Sequence, residues 1–217
     1  MNTPIKTHEI RKVAVLGSGV MGSAIACHLA QTGSEVLLLD LPSKEGPRNA
    51  PAEGALKASL KSKPSPLYSK RFINRIECGN FDDDLEKISS CDWIIEVIVE
   101  RLDIKQQLFE RVEAFRKPGT LISSNTSGIP ISQLSEGRSE DFQKHFCGTH
   151  FFNPPRYLQL LEIIPGPKTE QRVIDFFMGY GESILGKQSV LCKDTPAFIA
   201  NRVGVFAIQA LFHTVED

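Results

Sequence analysis

Residues 12–26 constrain the fold of this chain more than any other stretch. An apolar run leads into a G-x-G-x-x-G pattern, and small and apolar residues follow at helical spacing. This order is typical of the first strand, tight turn and first helix of a dinucleotide-binding unit. The free N–H groups and the positive end of the helix dipole favour phosphate there. The residues predicted to bind the dinucleotide are Gly17, Gly19, Val20, Met21 and Gly22.

A second apolar run, residues 36–39, ends in Asp40, which lies 18 residues beyond Gly22. A carboxylate near this spacing binds the 2′-hydroxyl of the adenosine ribose and would repel a 2′-phosphate. No arginine follows before Arg48, so the sequence favours NAD over NADP. The alternative is a glycine turn in another kind of α/β protein, with Asp40 capping a strand. The strand–turn–helix context favours the dinucleotide site.

Composition excludes several classes of partner. The apolar content of 41% and the charged content of 24% are those of an ordinary globular protein. A net charge of −1 gives no general attraction to nucleic acid or to a membrane. The five cysteines are scattered without C-x-x-C spacing, which predicts a reducing, cytoplasmic location and no zinc site. Residues 1–11 are polar and no apolar run has membrane-spanning length, so neither a signal peptide nor a membrane span is expected.

Strand and helix patterns alternate along the rest of the chain. Further strands are predicted at residues 75–78, 92–100, 120–124, 146–149, 158–164 and 189–191, with clear helices at 102–115 and 168–180. This alternation predicts an α/β domain with a Rossmann-type, doubly wound, mainly parallel sheet over residues 1–194. A Pro-rich loop and two helices, residues 52–63 and 67–73, form a helical excursion at about residues 43–75. Ligands of such a sheet bind at the carboxyl ends of its strands.

Three consecutive acids, residues 82–84, invite interpretation as a metal site. Acids are also favoured at a helix N-terminus, and residues 85–88 have helical character. A hard-cation site needs several oxygen ligands, and no other acidic cluster lies near in the sequence. The helix-start interpretation is preferred, and no metal site is predicted.

Polar residues follow the predicted strands. Glu100 ends one strand, residues 124–127 end the next, and His150 follows a short apolar run. Glu162 stands inside the apolar run 158–164, where an unpartnered carboxylate is costly to bury. His150 and Glu162 are separated by a Pro-Pro turn, so two antiparallel strands would bring them together. A structural histidine and a solvent-facing glutamate are the alternatives, and these residues alone leave both open.

At these positions the sequence resembles the L-3-hydroxyacyl-CoA dehydrogenases of fatty acid β-oxidation. The resemblance runs from about residue 12 to the end of the chain and is weakest over residues 42–80, where the Pro-rich loop is more like the long bacterial members. The matching stretches are residues 17–22, 98–100, 124–127, 150–154 and 192–202.

The resemblance implies a role for each matching residue. It makes His150 the general base, Glu162 the acid that orients it, and Ser127 and Asn201 the groups beside the substrate's 3-oxygen. Asp40 is again the adenosine-ribose ligand. It also places lysines of the helical excursion near the phosphates of coenzyme A, without assigning one. The residues that it places beside the nicotinamide half of NAD are Glu100, Lys105, Asn125 and Asn153.

The resemblance implies NAD-dependent oxidation of L-3-hydroxyacyl-CoA to 3-oxoacyl-CoA. A histidine accepts a proton near neutrality, and side chains that hold the developing alkoxide lower the barrier. Two other functions remain open. One is a β-hydroxyacid or sugar-acid dehydrogenase of the 6-phosphogluconate type, which would use a lysine base. The other is a non-catalytic NAD-binding sensor or structural protein, which the combined presence of His150, Glu162, Ser127 and Asn201 disfavours.

The last helix pattern raises a separate expectation. Thr195 is predicted as its N-cap and Pro196 as its first position. Apolar residues recur at helical spacing toward residue 217, and no further element is predicted on which this apolar face could pack. The resemblance places an all-α second domain here, which covers the acyl site and forms a homodimer. The expectation is therefore that residues 195–217 begin a truncated helical domain and that the chain is a fragment with weak or no turnover.

Overall fold

The computed structural model describes residues 10–216. Eight strands form one sheet in the order β3-β2-β1-β4-β5-β6-β7-β8, and helices cover both faces, which confirms the predicted Rossmann-type fold. The strands are β1 (Lys12–Leu16), β2 (Glu35–Asp40), β3 (Ile76–Asn80), β4 (Trp93–Glu96), β5 (Leu121–Ser124), β6 (Phe146–Phe151), β7 (Leu160–Pro165) and β8 (Gln188–Leu191). The helices are α1 (Val20–Thr32), α2 (Ala50–Ser59), α3 (Leu102–Phe115), α4 (Ile131–Ser135), α5 (Glu140–Lys144), α6 (Gln171–Ser183) and α7 (Ala200–Glu216).

The central strand β1 is buried on both faces. Val13 and Val15 belong to the core beneath α1 and α6, whereas Ala14 and Leu16 belong to the core beneath α3. A parallel strand covered on both sides needs a continuous apolar run rather than an alternating one, which explains the sequence before the glycine turn. The chain order reverses at β1, since β2 lies on one side of it and β4 on the other. This switch point is where open α/β sheets bind ligands.

Strands β6 and β7 form the one antiparallel pair among the seven pairs of neighbouring strands that the structure describes. His150 stands directly opposite Glu162 in their register. The predicted antiparallel pairing of these two strands is confirmed. Directly opposite residues on one face have neighbouring side chains, so the hairpin brings together two groups twelve positions apart.

Strand β4 is shorter than predicted and ends at Glu96, so the prediction that Glu100 ends the strand is wrong. The Glu96 carboxylate accepts the backbone N–H of Ile98 at 2.7 Å. This contact takes the N–H away from strand pairing and turns the chain, and Glu100 lies in the following loop.

The helical excursion contains α2, as predicted, but its second helix is different. A 3₁₀-helix spans Lys70–Arg75, and residues 67–69 are not helical. The backbone N–H of Tyr68 is bonded to the side chain of Gln31 at 3.2 Å, so it does not enter a helix. A 3₁₀-helix also follows the three acids, over Leu85–Ser90. All three acids have protein partners: Asp82 pairs with Arg111, Asp83 with Arg48 and Asp84 with Lys87.

Helix α7 begins at Ala200 and not at Pro196, so the prediction of Thr195 as its N-cap is wrong. Ala197 and Phe198 have φ values of 62° and 47°, a left-handed conformation that cannot continue into a right-handed helix. The Phe198 side chain is buried in the core, which stabilises this turn. Within residues 10–216, no helix combines the length and apolarity that crossing a membrane would take.

Candidate active site

The three glycines of the turn after β1 meet different surroundings. A Cβ on Gly17 would lie 2.7 Å from the Val97 carbonyl oxygen, and one on Gly22 would lie 1.9 Å from the Gly17 carbonyl oxygen. A Cβ on Gly19 would meet nothing within 4 Å. Packing therefore explains Gly17 and Gly22 but not Gly19, whose bare backbone faces open space at the start of α1. A pyrophosphate fits that space, because no side chain caps the helix there and its N–H groups favour an anion.

This difference predicts that alanine at Gly22 lowers stability, whereas alanine at Gly19 does not. Gly22→Ala forces a methyl group into the backbone of the turn, so we expect it to lower the free energy of unfolding by about 2–3 kcal/mol and to weaken NADH binding. Gly19→Ala is the matched control. Its stability should stay within about 0.5 kcal/mol of the wild type, while its affinity for NADH falls at least about tenfold, because the methyl group occupies the phosphate's place. Urea denaturation and NADH fluorescence titration measure both quantities. Equal stability of the two variants would contradict this account.

Asp40 lies at the end of β2, beside the turn. Its carboxylate accepts a hydrogen bond from the Ser18 backbone N–H at 2.7 Å and another from the Ser18 hydroxyl. A third comes from the Leu41 backbone N–H at 2.7 Å. These contacts fix the carboxylate between the turn and the strand end while leaving it partly exposed. Binding of the adenosine ribose by this group stays a prediction that the placement supports.

A histidine, a glutamate and a serine form a hydrogen-bonded series at the carboxyl end of β6. His150 Nδ1 lies 2.7 Å from Glu162 Oε2, and His150 Nε2 lies 3.2 Å from the Ser127 hydroxyl oxygen. His150 and Glu162 are buried, whereas Ser127 is exposed. With Glu162 ionised, Nδ1–H donates to the carboxylate, and Nε2 is left as an acceptor on the side where Ser127 is exposed.

The start of α7 holds the other oxygen of Glu162. The backbone N–H groups of Ile199 and Ala200 donate to Glu162 Oε1 at 3.1 and 2.8 Å. Burial works to raise the pKa of Glu162, but the hydrogen bonds from His150 and Ala200 outweigh it and lower that pKa overall. The carboxylate is therefore ionised and fully engaged. Asn201 follows Ala200 directly, and its side chain makes no hydrogen bond to the described residues, so its place beside the substrate stays a prediction.

Two phenylalanines limit the space around the histidine ring. The Phe152 ring centroid is 4.4 Å from that of His150, and the Phe198 centroid is 5.8 Å away. With one edge bound to Glu162, the imidazole has little freedom to rotate. This arrangement holds Nε2 toward Ser127, as a positioned proton acceptor requires.

A second acidic series lies behind Ser127. The Lys105 ammonium is buried and lies 2.6 Å from Glu96 Oε1 and 3.3 Å from Glu100 Oε2. Glu100 Oε1 in turn accepts the Ser127 backbone N–H at 2.9 Å and the Thr126 hydroxyl at 2.5 Å. The series therefore fixes the turn that carries the exposed serine.

The pKa values of the two glutamates in this series shift in opposite directions. Burial raises the pKa of Glu96, and the Lys105 ammonium only partly offsets it. At Glu100, the Thr126 hydroxyl and Lys105 outweigh burial and lower the pKa. Lys105 is enclosed by protein groups, whereas Glu100 is partly exposed. The contacts of both residues with NAD stay predictions.

Asn125 lies directly after β5, and Asn153 lies two residues after β6. The Asn125 side-chain oxygen accepts the Phe151 backbone N–H at 2.8 Å, so this residue joins β5 to β6. Asn153 is exposed and lines a cavity of about 470 Å³ that also touches Gly19. Both residues lie where the sheet rule places a ligand, and their contacts with the nicotinamide half of NAD stay predictions.

Sequence reasoning missed several groups of the site. Glu96 stands in an apolar run, and the burial argument applied to Glu162 would have identified it. The sequence contains no comparable indication of the Ser18 and Thr126 hydroxyls or of the N–H groups of Ile199 and Ala200 at the start of α7. Hydroxyl and backbone donors occur throughout any chain, so their presence alone predicts no site. The contact of Phe198 with His150 depends on a left-handed turn at residues 197 and 198, where the sequence pattern predicts a helix.

Comparison with known proteins identifies one family. The family model described as "3-hydroxyacyl-CoA dehydrogenase, NAD binding domain" matches residues 12–195. A Bacillus subtilis (strain 168) protein is named "Probable 3-hydroxyacyl-CoA dehydrogenase". It is 49% identical over an alignment of 215 residues, and the match covers 92% of this chain and 27% of that protein. A Deinococcus radiodurans protein of the same name is 49% identical over 207 residues, 94% of this chain and 60% of that protein.

A solved structure gives the same result. The 3-hydroxybutyryl-CoA dehydrogenase of Escherichia coli K12 superimposes with a TM-score of 0.79 at 30% sequence identity, covering 95% of this chain and 44% of that one. The chain therefore spans between about a quarter and about three fifths of the length of these relatives.

Proposed function

Because the chain belongs to the 3-hydroxyacyl-CoA dehydrogenase family and matches its NAD-binding domain, we propose that it serves the NAD-dependent oxidation of L-3-hydroxyacyl-CoA to 3-oxoacyl-CoA in fatty acid β-oxidation. The relatives are named for this activity. The observation that carries the proposal is the series Glu162–His150–Ser127, with distances of 2.7 and 3.2 Å. It lies at the same edge of the sheet as the glycine turn.

The proposed chemistry begins with the substrate's 3-hydroxyl between Ser127 and His150. The serine hydroxyl holds the oxygen, and His150 Nε2 accepts the hydroxyl proton as negative charge develops. Glu162 keeps the proton of Nδ1 in place and stabilises the imidazolium cation that forms. In the reverse direction the imidazolium returns the proton to the oxygen.

NAD fits the residues present. Asp40 and the Ser18–Gly19 backbone would hold its adenosine and pyrophosphate groups, and the open space at Gly19 would admit the phosphates. When bound, NAD supplies the acceptor for the hydride that leaves carbon 3. The carboxylate at Asp40 favours NAD over NADP because it would repel a 2′-phosphate.

Because the chain spans only part of the length of its relatives, turnover is measured, here and for every variant, on a version extended to the relatives' full length. This version is mixed with acetoacetyl-CoA and NADH, and the loss of NADH absorbance is followed. We expect oxidation of NADH, little with NADPH, and little with acetoacetate that lacks coenzyme A. A panel of β-hydroxyacids and 6-phosphogluconate separates the alternative dehydrogenases. Turnover of those acids, with none of the CoA thioester, would assign the site to another reaction. Tight NADH binding by the extended version, with no turnover of any substrate, would favour a non-catalytic role.

We propose two further properties, a homodimer and a cytoplasmic location. Helix α7 exposes large apolar side chains, among them Val203 at 63% and Phe206 at 72%, which supports pairing of two copies through a helical domain that covers α7. The five cysteines are unpaired, which supports a cytoplasmic location. Sedimentation of the extended version as a single species of monomer mass, across concentrations, would contradict the homodimer.

A further inference from the structure

The loop between β6 and β7 reaches across to the helical excursion. Arg156 Nη1 donates to the carbonyl oxygens of Ser65 at 2.7 Å and Leu67 at 3.3 Å. The neighbouring Tyr157 hydroxyl also donates to the Ser65 carbonyl, at 3.1 Å. We call residues 64–68 the lip. Two adjacent side chains thus hold a segment about ninety positions away in the sequence.

The arginine also stacks on an exposed ring of the lip. Its Cζ atom lies 3.6 Å from the centroid of the Tyr68 ring, and Tyr68 is 79% exposed. A planar guanidinium can stack its face on an aromatic ring while an edge nitrogen such as Nη1 donates hydrogen bonds, and an ammonium has no plane to stack. The geometry therefore uses properties that are specific to arginine.

The loop that carries Arg156 is itself braced from beneath. The buried Lys187 donates to the carbonyl oxygens of Pro155 and Leu158, the latter at 2.7 Å. Burial lowers the pKa of Lys187 to about 8. Arg156 is therefore anchored on both sides of its position in the loop, and the lip is fixed to a supported part of the molecule.

The lip forms one wall of the cavity of about 470 Å³ beside the glycine turn. Residues of the turn, the end of α2 and the β6–β7 loop form the other walls. Two of its lining residues, Lys63 and Arg156, are cations, and neither has a carboxylate within ion-pair distance among residues 10–216. The cavity wall therefore carries positive charge that the described part of the protein does not neutralise.

We propose that Arg156 is a positioning residue that holds the lip in place over this cavity, and that the fixed lip determines preference for a thioester of coenzyme A over a short thioester. The identity of the ligand rests on the proposed function. The loop begins just beyond His150, so a thioester that reaches the histidine extends its remaining length toward the cavity. A thioester without the nucleotide part does not need the lip.

Four variants test this proposal: R156A, R156K, Y157F and the control R71A. Arg71 lies in the same excursion and contacts an aromatic ring, with its Cζ atom 5.0 Å from the Phe72 centroid, but it makes no hydrogen bond to the lip. For each variant we would measure amide hydrogen exchange of residues 60–72, the thermal midpoint, and the Kd values for acetoacetyl-CoA, for the N-acetylcysteamine thioester of acetoacetate and for NADH.

In R156A we expect faster exchange in the lip and a Kd for acetoacetyl-CoA that rises about tenfold, equivalent to about 1.4 kcal/mol. The Kd values for the short thioester and for NADH should stay within about twofold, because the short thioester does not need the lip and Arg156 makes no hydrogen bond to Asp40 or to the glycine turn. R156K should behave like R156A because an ammonium lacks the planar stack on Tyr68. Y157F should show a smaller effect of the same kind, and R71A should match the wild type.

Several results would overturn the proposal. These are an unchanged Kd for acetoacetyl-CoA in R156A, an equal loss of affinity for all three ligands, or wild-type behaviour of R156K, which would assign the effect to charge alone. If the wild-type protein binds no CoA thioester, the proposed function and the ligand preference both fail. Exchange in the lip of R156A then decides separately whether Arg156 is a positioning residue.

Discussion

Replacing His150 with glutamine is expected to lower the turnover of acetoacetyl-CoA about a thousandfold, within the range that a positioned general base supplies. Glutamine keeps a polar group of similar reach but has no group that takes up a proton near neutrality. The glycine turn and Asp40, which are predicted to bind the pyrophosphate and the adenosine ribose, lie on other strands, so the Kd for NADH should change less than about twofold. Steady-state assays and NADH titration on the same preparation give both numbers.

Glu162→Gln is the matched control for this experiment. It removes the negative charge opposite His150 while the backbone N–H groups of Ile199 and Ala200 still find an acceptor oxygen. We expect a loss of about a thousandfold or more, because the amide NH2 would then face Nδ1 and favour the tautomer in which Nε2 carries the proton and cannot accept another. A His150→Gln variant with normal turnover would remove the basis of the proposed mechanism.

The pH dependence of Glu162 has a defined sign. Its pKa in the folded protein lies below the ordinary value of 4.5, so folding favours the ionised form. The stability that it contributes is fully present above pH 4.5 and is lost as the pH falls through the folded pKa. Between about pH 5 and 8, where histidines ordinarily titrate, Glu162 stays ionised. A loss of activity in that range would therefore report on another group.

Replacing Lys105 with methionine is expected to lower the free energy of unfolding by about 3–5 kcal/mol, the usual result of removing one partner of a buried ion pair. Methionine fills most of the volume of the lysine stem but leaves Glu96, whose side chain is 0% exposed, without its cation. The Ser127 turn would also lose one support of Glu100, so we expect turnover to fall with stability. Urea denaturation measures the effect.

The double variant Glu96→Gln with Lys105→Met separates charge from packing. It removes both charges, so it should recover more than half of the stability that Lys105→Met loses. A second check is pH. Burial already raises the pKa of Glu96, and loss of Lys105 raises it further, so the folded variant retains a proton that the unfolded chain releases. Stability of Lys105→Met should therefore decrease as the pH rises above 4.5, the ordinary value. A single variant as unstable as the double variant at every pH would contradict an electrostatic cause.

Much of the fold is readable from local sequence patterns. The apolar run and glycine spacing of residues 12–26 predict β1, the turn and α1 because the periodicities of strand and helix are local properties. The amphipathic α3 spans the residues predicted for it. The errors occur where a side chain replaces a backbone partner, as Glu96 does at Ile98, or where a buried residue imposes an unusual conformation, as at Phe198.

The sequence by itself determined the dinucleotide turn and the alternation that builds a parallel sheet, and it predicted the short hairpin that can bring His150 and Glu162 together. These depend on neighbours in the chain or on a single tight connection. Only the tertiary structure decided that Gly19, unlike Gly17 and Gly22, faces open space. It also decided that Lys105 is enclosed between two carboxylates and that Arg156 holds the lip. Such contacts join residues from separate elements, and their distances follow from how the whole sheet and its helices pack.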